Sequence, residues 1–246
     1  MNLYSDFEIL GNNLKLLAVE NERDKATYEV RLHVEAAARE LSLERFGNFE
    51  NELYQKIFGY LYSNNIEEKT GGVLVIKELI ECTSAAAETK VIKFASTLAS
   101  LLKSNSNFKL IDLIAETFGH MARSSPVAHV DFVERELNRS LEWLRAEQPY
   151  RKYAGCKILQ QLAENAPTIF FIRTRDFFDV IFGPLWDNND QIRFAAARAL
   201  SACLAVLSQR TYHLEWYCYI YSNIHEGLIK GIVYLRIYCA LYDCIV

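Results

Sequence analysis

A stripe of apolar and small residues runs through residues 190–207 at steps of three and four. Its members are Ile192, Ala195, Ala196, Ala199, Leu200, Cys203, Leu204 and Leu207. This i, i+3, i+4, i+7 spacing is that of an amphipathic α-helix continued for about four turns. The polar residues 187–191 come directly before it and favour a turn, so the stretch is expected to be the turn and second helix of a helix hairpin.

The same pattern recurs upstream at a nearly constant interval. Leu200, Leu159, Phe118 and Ile76 are separated by 41, 41 and 42 residues, and Cys203, Leu162, Met121 and Leu79 follow in the same frame. A period of about 40 to 47 residues built from paired helices is typical of HEAT and armadillo repeats. We therefore predict an all-α fold, an α-α superhelix (HEAT/armadillo-like solenoid) of about five to six helix hairpins.

Small residues occupy one position of this frame, where a second helix would approach its neighbour closely. The matching pairs are Ala195 with Ala196, Ala154 with Gly155 and Gly71 with Gly72, whereas Leu113 and Ile114 depart from the rule. A phosphate-binding loop is the alternative for the two glycines, but no strand precedes them and no G-x-G or G-K-S follows. Close helix packing is the preferred interpretation.

The pattern divides the chain into three parts. Residues 1–41 are expected to form an irregular or capping helix pair, with helices over 3–17 and 28–41. Residues 42–231 contain the HEAT repeats, with helices predicted over 43–62, 66–82, 88–103, 108–123, 130–144, 151–163, 169–185 and 190–207. Residues 232–246 form an apolar tail, expected to be a partial repeat or a truncation edge. Its uncovered apolar side chains predict self-association at the C-terminal end, unless the tail folds back as a cap.

Basic residues also fall in the repeat frame, at Lys69, Lys152 and Arg193, with Ile111 interrupting the series. They resemble the basic position of HEAT repeats, which pairs with turn acids such as Asp187 in a ladder along the solenoid. The alternative is a solvated basic face. The spacing of Asp187 and Asp190 would suit a two-carboxylate metal site, but helix capping favours the same residues and is the preferred interpretation.

Composition and charge exclude several classes of function. The chain has 246 residues, is 51% hydrophobic and carries a formal net charge of −4. It is long enough for a large core, and its acidic balance argues against nucleic-acid binding. The tail of about 15 residues contains Arg236 and Asp243, whereas a membrane-spanning helix needs roughly 20 apolar residues, so no transmembrane segment is expected.

The residues that carry chemistry are scattered. None of the six cysteines forms a C-x-x-C pair, which favours a reduced, intracellular protein, and no histidine has a carboxylate or cysteine at useful spacing. The chain also lacks a glycine-rich phosphate loop, a D-F-G and an H-R-D motif. We therefore expect no catalytic, cofactor or metal residues and no cofactor, and this chain is not expected to be an enzyme.

Three segments resemble one family in the same order. They are Glu-Glu-Lys-Thr-Gly-Gly-Val-Leu-Val-Ile at 67–76, Phe-Val-Glu-Arg-Glu-Leu with Leu-Glu-Trp-Leu at 132–144, and Phe-Phe-Asp-Val-Ile-Phe with Leu-Trp-Asp at 177–187. They are similar to the N-terminal HEAT region of target of rapamycin (TOR) kinases, of the phosphatidylinositol-kinase-related family. The resemblance covers about residues 34–231.

The resemblance implies a scaffold in growth and nutrient signalling that docks a Raptor-like regulatory subunit and the remainder of the kinase. The parent would be a Ser/Thr protein kinase whose catalytic domain lies elsewhere. It also implies a cytoplasmic location, including the surface of endolysosomal or vacuolar membranes. Two alternatives remain: an unrelated HEAT adaptor, such as a transport receptor or phosphatase scaffold, and a HEAT-like DNA glycosylase, which the acidic charge disfavours.

Overall fold

The computed structural model describes residues 15–17, 19–81, 87–124 and 130–209, with the single residues 218, 221, 222 and 225. These residues contain α-helices and no strand, so the predicted all-α solenoid class is confirmed. Most of the predicted helix over 3–17, and all of the tail 232–246, lie outside the described residues. In chain order the helices are α1 (Arg23–Glu40), α2 (Leu43–Tyr62), α3 (Ile66–Glu81), α4 (Ala87–Ser104), α5 (Phe108–Ser124), α6 (Val130–Leu144), α7 (Pro149–Asn165), α8 (Pro167–Ile172), α9 (Thr174–Leu185) and α10 (Asp190–Ser208).

The chain forms two compact units, Met1–Ser124 and Ser125–Val246. In the first unit, α2 pairs with α3 and α4 pairs with α5, while α3 packs between α1 and α5. The second helices of successive repeats thus lie side by side, as in an α-solenoid. The core of this unit is formed by fully buried side chains that include Leu53, Ile57, Val73, Ile76, Phe94, Leu98, Ile114 and Phe118.

The second unit repeats the arrangement with the hairpins α6–α7 and α9–α10, and α7 packs along α10. An aromatic cluster holds α8 and α9 in place: the Phe170 and Phe177 ring centroids lie 5.6 Å apart, and those of Phe177 and Phe178 also 5.6 Å. These phenylalanines are buried, so the helical spacing of the aromatics reflects packing.

The predicted helix boundaries hold best where a polar turn precedes the helix. Asn65 caps α3, since its Oδ1 accepts a hydrogen bond of 2.9 Å from the Glu67 N–H, and Asn107 caps α5 through the Leu110 N–H at 3.1 Å. The predicted start of α1 at residue 28 is wrong, because the helix begins at Arg23, within a charged stretch that was expected to be a turn. Arg23 is buried and hydrogen-bonded, and residues 23–25 belong to the first turn of the helix, whereas residues 20–22 form the turn before it.

The helix predicted over 169–185 is in fact two helices, α8 and α9, separated at Arg173. The Thr174 hydroxyl donates a hydrogen bond of 2.8 Å to the Phe171 carbonyl. Such a bond offers the backbone an alternative to the regular helical pattern. Phe170, Phe177 and Phe178 keep helical spacing across the polar residues 173–176, so the apolar pattern does not reveal the break.

Among the described helices, α10 is long and apolar enough to cross a bilayer by length and composition alone. More than half of its most apolar window is buried inside the protein. Packing against α7 and α9 therefore accounts for its apolar character.

Candidate functional site: polar contacts between repeats

The turn that leads into α10 is built by two side chains. The Asp187 Oδ1 accepts a hydrogen bond of 3.0 Å from the Asn189 N–H, and the Asn189 Oδ1 accepts one of 2.9 Å from the Gln191 N–H. The second bond satisfies a free donor at the start of the helix. The cap is thus Asn189, whereas the capping interpretation assigned it to the flanking Asp187 and Asp190.

Lys152 on α7 reaches this turn from the preceding hairpin. Its Nζ donates a hydrogen bond of 2.7 Å to the Asp187 Oδ2, and only 13% of the Asp187 side chain is exposed. Burial alone would raise the pKa of Asp187. The hydrogen bonds from Lys152 and the Asn189 N–H lower it, as do the positive charges of Lys152 and Arg193. These contributions outweigh the effect of burial, so the pKa of Asp187 is lowered. Asp187 is therefore a carboxylate at neutral pH, and the pair links two successive repeats.

Arg193 closes the turn of its own hairpin. Its Nη1 donates to the Asp187 carbonyl at 2.7 Å and to the Asn188 carbonyl at 3.1 Å, and its Nη2 forms an ion pair with Asp190. These bonds hold the turn in the shape that presents the Asp187 carboxylate to Lys152. Of the two repeat-frame basic residues in this unit, Lys152 therefore makes the contact between repeats, and Arg193 supports it by holding the turn.

The corresponding contact in the first unit uses other residues than the frame suggested. No ion pair within the described ranges includes Lys69; instead Arg23 on α1 forms an ion pair with Glu67 on α3, and its Nε donates 2.8 Å to the Leu17 carbonyl. Arg23 is only 8% exposed. Sequence reasoning missed it because it lies in a charged stretch that resembles a turn.

Two further ion pairs join the second helices of this unit in series. Arg31 on α1 contacts Glu78 on α3 at 3.4 Å, and Lys77 on α3 contacts Glu116 on α5 at 3.0 Å. The partners are 47 and 39 residues apart. In the sequence, opposite charges spaced about one repeat apart could have indicated these two ion pairs.

The small residues of the repeat frame lie at buried, closely packed positions. Gly71, Gly72, Ala195 and Ala196 are all buried. A Cβ atom placed on Gly71 would lie 2.6 Å from both the Cβ and the carbonyl oxygen of Leu17, and one on Gly72 would lie 3.0 Å from the Leu61 Cδ2. These glycines thus serve packing, with no phosphate loop geometry.

The second unit also buries a charged cluster on α6 that sequence reasoning did not single out. Glu136 is 2% exposed and forms an ion pair with Arg139, whose guanidinium lies 4.9 Å from the centre of the Trp143 ring. Burial and the nearby charge of Arg135 lower the pKa of Arg139 to about 10. Arg139 therefore remains charged at neutral pH, and its ion pair with Glu136 has a structural role.

Two buried cysteines and the possible metal ligands can be assessed in the described part of the chain. Cys156 and Cys203 are buried, and burial raises the pKa of both thiols far above the usual range, so neither is a ready nucleophile. No group of three or more His, Cys, Asp or Glu side chains within those residues is placed to hold a metal ion.

Helix hairpins, close packing at small residues and polar contacts between repeats define an α-helical repeat protein. The chain is 32% identical over 211 residues to "Serine/threonine-protein kinase TOR" of Arabidopsis thaliana, covering 85% of the chain and 8% of that protein. It is 30% identical over 220 residues to "Serine/threonine-protein kinase tor1" of Schizosaccharomyces pombe, covering 89% of the chain and 9% of that protein. It is 29% identical over 238 residues to "Serine/threonine-protein kinase TOR2" of Saccharomyces cerevisiae, covering 92% of the chain and 10% of that protein.

The chain is thus homologous to one segment of the TOR-type serine/threonine-protein kinases, and the resemblance expected from the sequence is confirmed. It spans no more than 10% of the length of these three relatives. No family model matches the chain.

Proposed function

We propose that this chain is a protein-binding scaffold, the N-terminal HEAT segment of a TOR-like kinase, and that it docks regulatory subunits. The observation that carries the proposal is the set of bonds between repeats, above all Lys152 to Asp187 at 2.7 Å. These bonds fix second helices side by side within each unit. Stacked helices of this kind present extended surfaces that repeat proteins use to bind partners.

The homology supports the choice of partner. Because the relatives are named as kinases and the chain spans a small part of each, we assign phosphoryl transfer to other parts of the longer protein. A Raptor-like regulatory subunit and the remainder of the kinase are the proposed partners. The proposed location is the cytoplasm, including the surface of endolysosomal or vacuolar membranes.

Calorimetric titration of the purified chain with a folded Raptor-like subunit tests the proposal. We expect saturable binding, with an unrelated helical repeat protein of similar net charge as the control. A second titration with ATP is expected to give no heat of binding. Failure of the subunit to bind, or a micromolar ATP site, would contradict the scaffold role.

A further inference from the structure

The contact between α7 and α10 changes in character along its length. At the start of α7, Lys152 donates to Asp187. Cys156, one turn later, lies near the same carboxylate, since burial and then the Asp187 charge raise the pKa of its thiol. At the end of α7, Ala163 lines an open groove together with Ala202 of α10. One and then two helical turns separate the three α7 positions, so they share the face of α7 that follows α10.

The groove end of this contact does not fix how far α10 lies along α7. The groove has a volume of about 520 Å³, and the α10 side chains that line it include Ser201, Ala202 and Ala205. Small side chains form low ridges that do not interlock firmly with a facing helix, and apolar contact has no preferred direction. A slide of α10 by about one turn would bring Ala199 or Ala205 to the place of Ala202, so a small residue would again face α7.

The other end of the contact is directional. The Lys152 Nζ lies 2.7 Å from the Asp187 Oδ2, and the two side chains are 26% and 13% exposed. Asp187 is in turn held against the start of α10, because its Oδ1 accepts from the Asn189 N–H and its carbonyl accepts from Arg193. A slide by one turn, about 5.4 Å, would break the bond to Lys152 and leave a largely buried carboxylate without that cation.

We infer that the Lys152–Asp187 pair is a register latch, which selects one offset of α10 along α7 among those that packing permits. Buried polar contacts between helices have this register-setting role in other helical assemblies. The latch thereby aligns the surface that α7 and α10 present together. This inference rests on the proposed function, because alignment of that surface matters when a partner docks on both helices.

A distance measured along the helix axis tests the latch. Gln148, just before α7, and Ser208, at the end of α10, are exposed, and the two helices pack side by side, so the distance between these residues changes with the offset. Spin labels are introduced at both positions as a non-canonical amino acid, which leaves the six native cysteines unmodified. Pulsed electron paramagnetic resonance then gives the distribution of distances in the full chain.

Four variants of the labelled chain are compared with wild type. Lys152→Met keeps the aliphatic stem and removes the charge, Asp187→Asn removes the charge of the acceptor, and Lys152→Arg keeps a charged donor. Arg175→Met is the matched loss of a positive charge, at an exposed position on α9. Circular dichroism shows whether each variant is folded.

We expect one narrow distribution for wild type, Lys152→Arg and Arg175→Met. Lys152→Met and Asp187→Asn should instead give a broadened distribution or a second distance about 5 Å away, which corresponds to one helical turn. An unchanged distribution in either variant, if folded, would overturn the latch, as would the same broadening in Arg175→Met. If neither variant folds, the pair is required for folding itself, and the inference is also overturned.

The same protein samples are titrated with the folded Raptor-like subunit, which separates the two proposals. Subunit binding with an unchanged distance distribution leaves the scaffold role standing and overturns the latch. A distribution that depends on Lys152, without any subunit binding, supports the latch and contradicts the proposed partner. Where both hold, Lys152→Met should bind the subunit roughly twofold to tenfold more weakly, because only part of its population has the aligned surface. Equal affinities would overturn the role of the latch in docking.

Discussion

Gly71→Ala is expected to destabilise the first unit, although alanine is the better helix former. Gly71 lies inside α3, and a Cβ atom there would meet the Cβ and the carbonyl oxygen of Leu17 at 2.6 Å. Leu17 cannot easily move away, since it is fully buried and its carbonyl accepts a hydrogen bond from the Arg23 Nε. To make room for the methyl group, α3 and the segment around Leu17 must therefore move apart or distort.

Two opposing contributions determine the size of the effect. Replacing glycine with alanine in a helix interior gains about 0.8–1.0 kcal/mol. Inserting a methyl group into a closed contact costs about 1–3 kcal/mol. The net loss in the free energy of unfolding is therefore between about 0 and 2 kcal/mol.

Gly59→Ala in α2 of the same unit is the matched control, because nothing lies within 4 Å of its added Cβ. The Gly59→Ala variant gains the same helix propensity without overpacking, so its free energy of unfolding should rise by about 0.8–1.0 kcal/mol. The difference between the two variants isolates the packing cost of about 1–3 kcal/mol.

Urea unfolding followed by circular dichroism measures both variants. With a slope of about 1–3 kcal/mol per molar urea, the two midpoints should lie roughly 1 M apart, with Gly59→Ala above wild type. If both substitutions raised the midpoint equally, α3 would not approach Leu17 as closely as described, and the packing explanation for Gly71 would be refuted.

Three further predictions concern the second unit. Arg193→Ala should lower stability by about 1.5–3 kcal/mol, since it removes charged hydrogen bonds to two carbonyls of the turn; a urea midpoint equal to that of wild type would refute this. Ala196→Leu should lower the free energy of unfolding by about 1–3 kcal/mol, because it overpacks a fully buried position. Ala205→Leu, at an exposed position of α10, should be nearly neutral. Equal effects of the two substitutions would mean that α10 is rotated from the described orientation. Asp187 has a lowered pKa in the folded protein, so its stabilising contribution is present above the ordinary aspartate pKa of about 3.9 and is lost as pH falls through the folded pKa. Asp187→Asn should accordingly reduce the loss of urea stability on acidification below about pH 4, and parallel pH profiles for the two proteins would contradict the assignment.

The repeat frame predicted helices well because burial repeats with the frame. Leu200, Leu159, Phe118 and Ile76 are all fully buried, so one core position recurs in four hairpins. Apolar spacing reports which face of a helix is covered, and that information is local. The bounds of α2 and α10 could therefore be read closely from periodicity and turn residues alone.

Polar contacts between repeats were harder to predict, because long charged side chains can reach across a full helical turn. The frame aligned Lys69 with Lys152, yet the structure pairs Glu67 with Arg23 and leaves Lys69 outside the described ion pairs. Which basic residue meets which acid depends on the offset between neighbouring helices. That offset follows from side-chain packing in three dimensions, which sequence spacing does not reveal.

Two buried thiols among the described residues of the second unit allow the opening of its helices to be measured. Cys156 in α7 and Cys203 in α10 are buried, whereas Cys218 is exposed. A thiol reagent should therefore modify Cys218 at once, and Cys156 and Cys203 only when their helices open. The labelling rates of Cys156 and Cys203, each measured separately from the other four cysteines of the chain, would then show how often each helix opens under native conditions. Equal rates would mean that the α6–α7 and α9–α10 hairpins open together, and unequal rates would mean that each opens separately, as weakly coupled repeats do.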